Sequence, residues 1–306
     1  MPLVSVVLNL RNGASTLQEA IDSVLAQSCK DWELIVWDDR STDNSAAVVA
    51  QYRDPRIHYF LSPEDVPLGR ARRDAMAHAA GEWVAFLDQD DIWLPRKLER
   101  QLALAGDGVG LIYGRTVRFY PGGRERDYDQ AHEYKLLPEG DIFSQLFTES
   151  CFIAMSSAMF RRSAIAAIGG IPDEVRIIPD YYLYVAVARN YRARAVQQVV
   201  CRYRMHADSM SHVAAVAMHQ EVLWLLDRWA GQLDPHTVAL CRKRHLTAIA
   251  LEEMRSSKSF HRGLTRLITQ GSVGSQLVRP FAFVFHLVRR NVRRPYWRRR
   301  NEDAGV

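Results

Sequence analysis

The sequence predicts an α/β fold, with a mostly parallel sheet and flanking helices followed by a helical C-terminal region. Three observations carry this. Strand-like and helix-like segments alternate through roughly the first hundred residues, the mark of strand–helix–strand units. From residue 109 the alternation gives way to longer strand signals separated by a polar stretch. Beyond residue 213 only helical patterning remains.

The elements follow in order. "LVSVVLN" (3–9) is β-branched and apolar and reads as a first strand. No basic residue precedes its short apolar run, so it does not read as a signal peptide. "STLQEAIDSVLAQ" (15–27) sets Leu17, Ala20, Ile21, Val24 and Leu25 on one helical face, with Ser15 and Gln18 offering a capping box. "ELIVW" (33–37) is a second buried strand, and a helix near 44–53 is capped by Ser41 or Asp43. "RIHYF" (56–60) is a third strand, "RARRDAMAHAA" (70–80) a helix and "EWVAFL" (82–87) a fourth strand. Such continuous apolar runs suit parallel strands covered on both faces. "VGLIYGRTVRFY" (109–120) is a long strand ended by a "PGGR" turn, and 121–140 is polar and helix-poor. "CFIAMSSAMF" (151–160) reads as a strand, and "RRSAIAAIGG" as a short helix stopped by Gly169 and Gly170. "DYYLYVAVARN" (180–190) is helical and "RAVQQVVCRYR" (194–204) is the last strand. The expected division is a domain over 1–212, with halves 1–108 and 109–212, and a helical region over 213–306.

The chain has 306 residues, 48% of them apolar and 25% charged, the balance of an ordinary globular protein. No uninterrupted apolar stretch is long enough to cross a bilayer as a helix. Four cysteines, far apart and without a CxxC pair, argue against a disulfide framework or zinc site and for a reducing compartment. The net charge of +5 is unevenly placed: eight arginines and no acid lie between Arg279 and Arg300, and setting these aside leaves the rest of the chain at −3. In that tail Phe281, Phe283, Val284, Phe285, Leu287 and Val288 stand between basic residues, with Pro280 and Pro295 bounding a helix. The pattern matches an interfacial helix on an anionic membrane surface better than a nucleic-acid contact; a buried C-terminal helix with a solvated end is the competing reading. The expected location is cytoplasmic, peripheral on the inner face of the cell membrane.

In open parallel sheets, ligands bind beyond the carboxyl ends of the strands. Here strand one ends at "NLRNG", strand two at "DDRSTD" and strand four at "DQDD". Asp38 and Asp39 therefore share an edge with Asp88, Asp90 and Asp91, while Asp43 reads as a helix cap. Crowded carboxylates repel one another unless something positive sits among them. Mg²⁺ or Mn²⁺ typically takes one or two carboxylates plus phosphate oxygens. Neither GxGxxG nor GxxxxGK[ST] occurs, so a metal and arginines would have to hold any phosphates.

At this point the residues resemble a known family. "VSVVLNLRNGASTLQEAIDSVLAQSCKDWELIVWDDRSTDNS" resembles the opening of family 2 glycosyltransferases, and "PLGRARRDAMAHAAGEWVAFLDQDDIW" continues it in order and spacing. "SSAMFRRSAIAAIGGIPDEVRIIPDYYLYVAVA" resembles the acceptor-side segment and "YRMHADSMS" the closing motif. The likeness spans about residues 3–212 and leaves the last ninety or so outside it. It implies a GT-A-type, Rossmann-like fold and an inverting transfer of a sugar from a nucleotide-diphospho-sugar, a UDP-sugar first among donors, to a hydroxyl of a glycan or lipid-linked acceptor. Bacterial surface polysaccharide synthesis is the setting it suggests.

Carried over residue by residue, the resemblance gives Asp39 the nucleotide base, with Asp38 beside it. Leu10 and Arg11 line the base pocket, and Arg73 helps hold the nucleotide. Asp88 faces the ribose or metal, Asp90 ligates a divalent cation (Mn²⁺ or Mg²⁺), and His206 is a further metal ligand. Asp180 is the general base, with helix capping as its plainer role. Asp91, Trp93 and Tyr181 are acceptor candidates: Asp91 otherwise caps the turn before Trp93, Trp93 reads as packing ahead of a sugar platform, and helix packing competes for Tyr181. Arg70 and Arg72 read as solvated charges. The chain departs from the family pattern at Asn9, Arg11, Arg40, Asp74 and Pro179. Two other functions stay open: a non-catalytic nucleotide-sugar-binding or scaffold protein, and a sugar nucleotidyltransferase, whose glycine-rich N-terminal signature "LNLRNGAST" does not supply.

Overall fold

The computed structural model describes residues 2–120, 125–126, 136–149, 151–205 and 214–255. The chain forms two compact units, Met1–Ala214 and Ala215–Val306. The first opens with β1 (Val4–Leu10), α1 (Leu17–Leu25), β2 (Trp32–Asp38), α2 (Ser45–Val49), β3 (Ile57–Leu61), α3 (Leu68–Met76) and β4 (Trp83–Phe86). It continues with β5 (Ile92–Trp93), α4 (Lys97–Leu102), β6 (Val109–Phe119), β7 (Glu125–Arg126), α5 (Phe143–Thr148), β8 (Met159–Arg161), α6 (Arg162–Ala167), α7 (Pro179–Ala188) and β9 (Arg192–Arg204).

These strands form one sheet in the order β3-β2-β1-β4-β8-β6-β9-β5, with β7 paired to β6. β1 to β4 are mutually parallel, and β6 and β9 run the same way. β8 enters antiparallel between β4 and β6, and β5 and β7 pair antiparallel at β9 and β6. The expected mostly parallel sheet is thus a mixed one. Alternation along β1 explains the core: Val4, Val6, Leu8 and Leu10 pack with Leu17, Ala20, Ile21 and Val24 of α1. Register then aligns the strand ends. Leu10 lies opposite Asp38 and Val7 opposite Phe86, so the residues after β1, β2 and β4 share one edge.

Three local expectations are corrected. The Ser15/Gln18 capping box does not form; α1 starts at Leu17 without a side-chain cap, and Thr16 and Leu17 donate instead to the Gly13 carbonyl. α2 stops at Val49 and its N-cap is Asn44, without a side-chain cap; Asp43 accepts the Ser45 N–H at 3.0 Å and, from the loop after β1, the Ala14 N–H at 3.0 Å. Of the expected 151–160 strand only Met159 and Phe160 fall in β8, which runs on to Arg161. Met155–Ser157 is a 3₁₀ turn in which the Ser157 hydroxyl donates to the Ala154 carbonyl at 2.7 Å, a local bond that competes with a ladder. The second unit is described as far as Arg255: α8 (Ala215–Trp229) and α9 (Pro235–Arg255) pack together, burying Leu225, Leu226 and Trp229 with Cys241 and Ala250.

Candidate active site

The edge beyond β1, β2 and β4 carries the site. On its first side Asp38 is buried with both oxygens engaged: Oδ1 accepts the Ser41 N–H and Oδ2 the Tyr59 hydroxyl, each at 2.7 Å. That makes Asp38 a pin for the loop. Asp39 is different. Its Oδ2 accepts from Arg11 Nη1 at 3.1 Å, while Oδ1 is buried with no close partner among the described residues, the Val66 backbone N–H being the group that also acts on this carboxylate. Burial pushes the Asp39 carboxyl pKa up, against the pull of the Arg11 guanidinium. Arg11 also forks onto both oxygens of Asp65, at 2.5 and 2.9 Å. Leu10 is buried beneath, as part of the core. Arg40, where the family pattern has glycine, sits at φ 58°, the left-handed region glycine fills most easily.

The "DQDD" turn follows β4. Gln89 joins it to the first side through a reciprocal pair, accepting the Arg11 N–H at 2.7 Å and donating to the Arg11 carbonyl at 3.0 Å. Asp88 accepts from Arg72 Nη2 at 2.7 Å and keeps 33% of its side chain exposed. Burial of this carboxyl raises its pKa, Arg72 opposes that, and Asp90 and Asp180 add to the rise. Asp90 is half-buried, and its carbonyl accepts from Arg204 Nε at 2.8 Å.

Arg72 is not the solvated charge that its sequence context suggests. It is 5% exposed, on the face of α3 shared by Gly69, Ala71 and Ala75. A Cβ at Gly69 would fall 1.8 Å from the Val175 carbonyl oxygen, so glycine alone lets α3 lie against that backbone, one turn before Arg72. Burial works against the Arg72 charge, and the carboxylates of Asp88 and then Asp180 outweigh it. Arg73, expected at the nucleotide, instead donates to Asp173 at 2.6 Å and to the Ile171 carbonyl at 3.2 Å. Consecutive helical residues point about 100° apart, which separates the two arginines. The stripe of small residues at helical spacing was the available signal.

Asp180 is the second residue of α7, after Pro179 at the favoured first position. Its Oδ1 accepts the Tyr181 N–H at 2.8 Å. Its charge acts on Arg72, Asp88, Tyr184 and Cys151, whose hydroxyl and thiol are pushed up chiefly by burial. Asp88, Asp90, Arg72 and Asp180 therefore form one electrostatic cluster.

Each of the three acceptor candidates takes its plainer role. Asp91 is buried, accepting the Ser156 hydroxyl at 2.5 Å and the Arg204 N–H at 2.9 Å. Trp93 is 2% exposed and donates Nε1–H to the Ser156 carbonyl at 2.7 Å. Tyr181 is buried with its hydroxyl on the Leu146 carbonyl at 2.8 Å. In each, the polar group meets a protein partner in the interior. His206 lies outside the described residues.

Among the described residues no three His, Cys, Asp or Glu side chains are gathered into a ready-made metal cage. Asp88 and Asp90, two residues apart on the turn after β4, are the carboxylates that would hold a cation completed by substrate phosphates. The crowding of Asp88 by Asp90 and Asp180 points the same way, because a divalent cation relieves it.

Comparison with known proteins bears on this edge. The family model described as glycosyl transferase family 2 matches residues 5–169. A UDP-Glc:alpha-D-GlcNAc-diphosphoundecaprenol beta-1,3-glucosyltransferase, WfgD of Escherichia coli, is 28% identical over 211 residues, covering 68% of this chain and 79% of its own length. Among solved structures, the mannosyltransferase PcManGT from Pyrobaculum calidifontis, in complex with GDP-Man and Mn²⁺, superposes with a TM-score of 0.63 at 20% identity, over 97% of this chain and 82% of that one. S. aureus TarS 1–349 in complex with UDP-GlcNAc gives 0.59 at 17% identity, over 91% and 76%.

Proposed function

This chain belongs to glycosyl transferase family 2 and is a glycosyltransferase of the GT-A-type fold, and from that premise we propose that it moves a sugar from a nucleotide-diphospho-sugar, with inversion, to a hydroxyl of a lipid-linked glycan. The observation that carries the reading is the pairing of Asp88 with the buried Arg72 at the carboxyl edge of the sheet, with Asp180 acting on both and Asp90 on Asp88. The lipid-diphosphate acceptor printed in the name of the Escherichia coli relative supports the acceptor class. It also supports polysaccharide biosynthesis as the setting.

The residues divide the work. Asp39 accepts an N–H from the base, with Arg11 beside it on the other carboxylate oxygen. UDP is the first expectation for the nucleotide. Arg72 holds Asp88 in place beside the donor phosphates. Asp90 and Asp88, with His206 as a further candidate, would hold a divalent cation, which supplies Lewis-acid neutralisation of the departing diphosphate. Asp180 takes the proton of the acceptor hydroxyl as its oxygen attacks the anomeric carbon. The bond to the nucleoside diphosphate breaks on the opposite face, so the anomeric configuration inverts. The interaction between Asp180 Oδ1 and its own helix fixes the carboxylate's direction.

No helix among the described residues is long and apolar enough to cross a membrane. The arginine-rich tail over 276–300, outside the described residues, is where we place contact with an anionic membrane surface at the cytoplasmic face.

A thermal-shift panel of nucleoside diphosphates and nucleotide sugars, each with and without Mn²⁺, tests the donor site. One nucleotide with Mn²⁺, at about a hundredfold excess over its Kd, is expected to raise Tm by on the order of 5–10 °C. No shift with any nucleotide would overturn the donor reading, and an equal shift without Mn²⁺ would overturn the cation's part in it.

A further inference from the structure

The geometry points to Ser156 as a positioning residue for donor binding, one that fixes the Asp88–Asp91 turn so that Asp88 and Asp90 meet the donor diphosphate and its cation. This rests on the donor-site reading above. Ser156 is fully buried in the 3₁₀ turn Met155–Ser157, just before β8. Because β8 pairs antiparallel with β4, with Ala85 opposite Met159, the residues preceding β8 come level with those following β4. Ser156 thereby reaches the turn from a segment 68 residues away in sequence.

Its hydrogen bonds have a fixed polarity. The Asp88 N–H donates to Ser156 Oγ at 3.0 Å, and a backbone N–H can only donate. The serine proton is then free for Asp91 Oδ2, at 2.5 Å. The Ser156 carbonyl accepts Trp93 Nε1–H at 2.7 Å. One residue thus grips the first, fourth and sixth positions of the segment Asp88–Trp93. The Asp91 N–H closes the turn on the Asp88 carbonyl at 3.1 Å, and Arg204 completes the frame through Asp91 Oδ1 and the Asp90 carbonyl.

The support continues inward. Gln101 Nε2 donates to the Ser157 carbonyl at 2.8 Å, and the Lys97 amine lies 4.0 Å from the centre of the Trp93 ring. Ser156 touches neither the proposed cation nor the sugar, so it acts through Asp88 and Asp90. Groups that orient metal-binding carboxylates typically govern metal affinity by about 10–100-fold when removed. A shift of the turn by ~0.5 Å is enough to disturb such a constellation.

The test is a titration of Mn²⁺, followed by its electron paramagnetic resonance signal, into full-length protein saturated with the nucleoside diphosphate found in the thermal-shift panel. Ser156→Ala is expected to weaken Mn²⁺ binding by about 10–100-fold. The nucleotide affinity measured without Mn²⁺ should stay within about twofold, since Asp39 and Arg11 are untouched; a merely structural serine would lower Tm and leave the Mn²⁺ curve in place. Ser156→Thr, which keeps the hydroxyl, is expected to restore Mn²⁺ binding. If either variant fails to fold, Ser156→Cys, nearly isosteric with a weaker donor, is read in the same way and is expected to fall between wild type and the alanine loss. A folded Ser156→Ala (or Ser156→Cys) that binds Mn²⁺ like wild type overturns the role of Ser156 and leaves the donor site standing. Absence of Mn²⁺ binding by the wild-type complex overturns the cation's part in the donor site, on which this role of Ser156 rests.

Discussion

Replacing Asp180 by asparagine is expected to lower transfer by about 10²–10⁴-fold, the range for loss of a positioned general base, while donor affinity changes little. Asparagine is close to isosteric, and its Oδ1 can still accept the Tyr181 N–H that anchors the aspartate. What it cannot do is take a proton from the acceptor hydroxyl. The donor side loses only a negative charge that now raises the Asp88 pKa, so nucleotide binding holds or tightens slightly. Calorimetry with the donor and release of nucleoside diphosphate in the presence of acceptor separate the two effects. Full transfer by Asp180→Asn would remove Asp180 from the chemistry, whereas a matched loss of binding and turnover would make it a donor ligand.

The second large effect is expected at Arg72, with Arg73 as its neighbour and control. Arg72→Met leaves Asp88 facing Asp90 and Asp180 without the buried guanidinium. Breaking a buried pair in this way costs about 3–5 kcal/mol, a ceiling here because Asp88 keeps a third of its side chain in solvent. A fall in Tm on the order of 10 °C follows, with donor binding lost alongside. Arg73→Met breaks a pair with Asp173, whose side chain is 80% exposed. Such surface pairs are worth about 0–1 kcal/mol. Equal Tm losses in the two variants, or a larger one at Arg73, would contradict the burial that sets these arginines apart.

That contrast shows what the sequence could reveal. The carboxylate edge was legible because aspartates interrupt apolar runs, and strand ends in a parallel sheet have a known polarity. The fold class was legible for the same reason, since the periods of strands and helices are local properties. The phase of α3 was not read, and a resemblance that matches residues in order can slip by one position and turn a side chain through a third of a helix circumference. For Trp93 and Tyr181 the sequence leaves two roles open, because an aromatic with a polar tip suits either a cleft or an interior. Only the carbonyls of Ser156 and Leu146 decide the matter. Gln89 and Ser156 were invisible for a different reason: their partners lie 78 and 68 residues away, and nothing in the local pattern announces them. β8 was overextended because Ser157 satisfies its own turn.

The central claim is that the carboxyl edge holds a nucleotide diphosphate through a cation on the "DQDD" turn. The measurement that tests it most directly is an anomalous difference map from crystals grown with Mn²⁺ and the stabilising nucleotide. The account predicts a manganese peak within about 2.5 Å of an Asp90 carboxylate oxygen, bridged to the diphosphate, with the base against Asp39. A nucleotide bound elsewhere, or bound at this edge with no manganese beside Asp90, would contradict it.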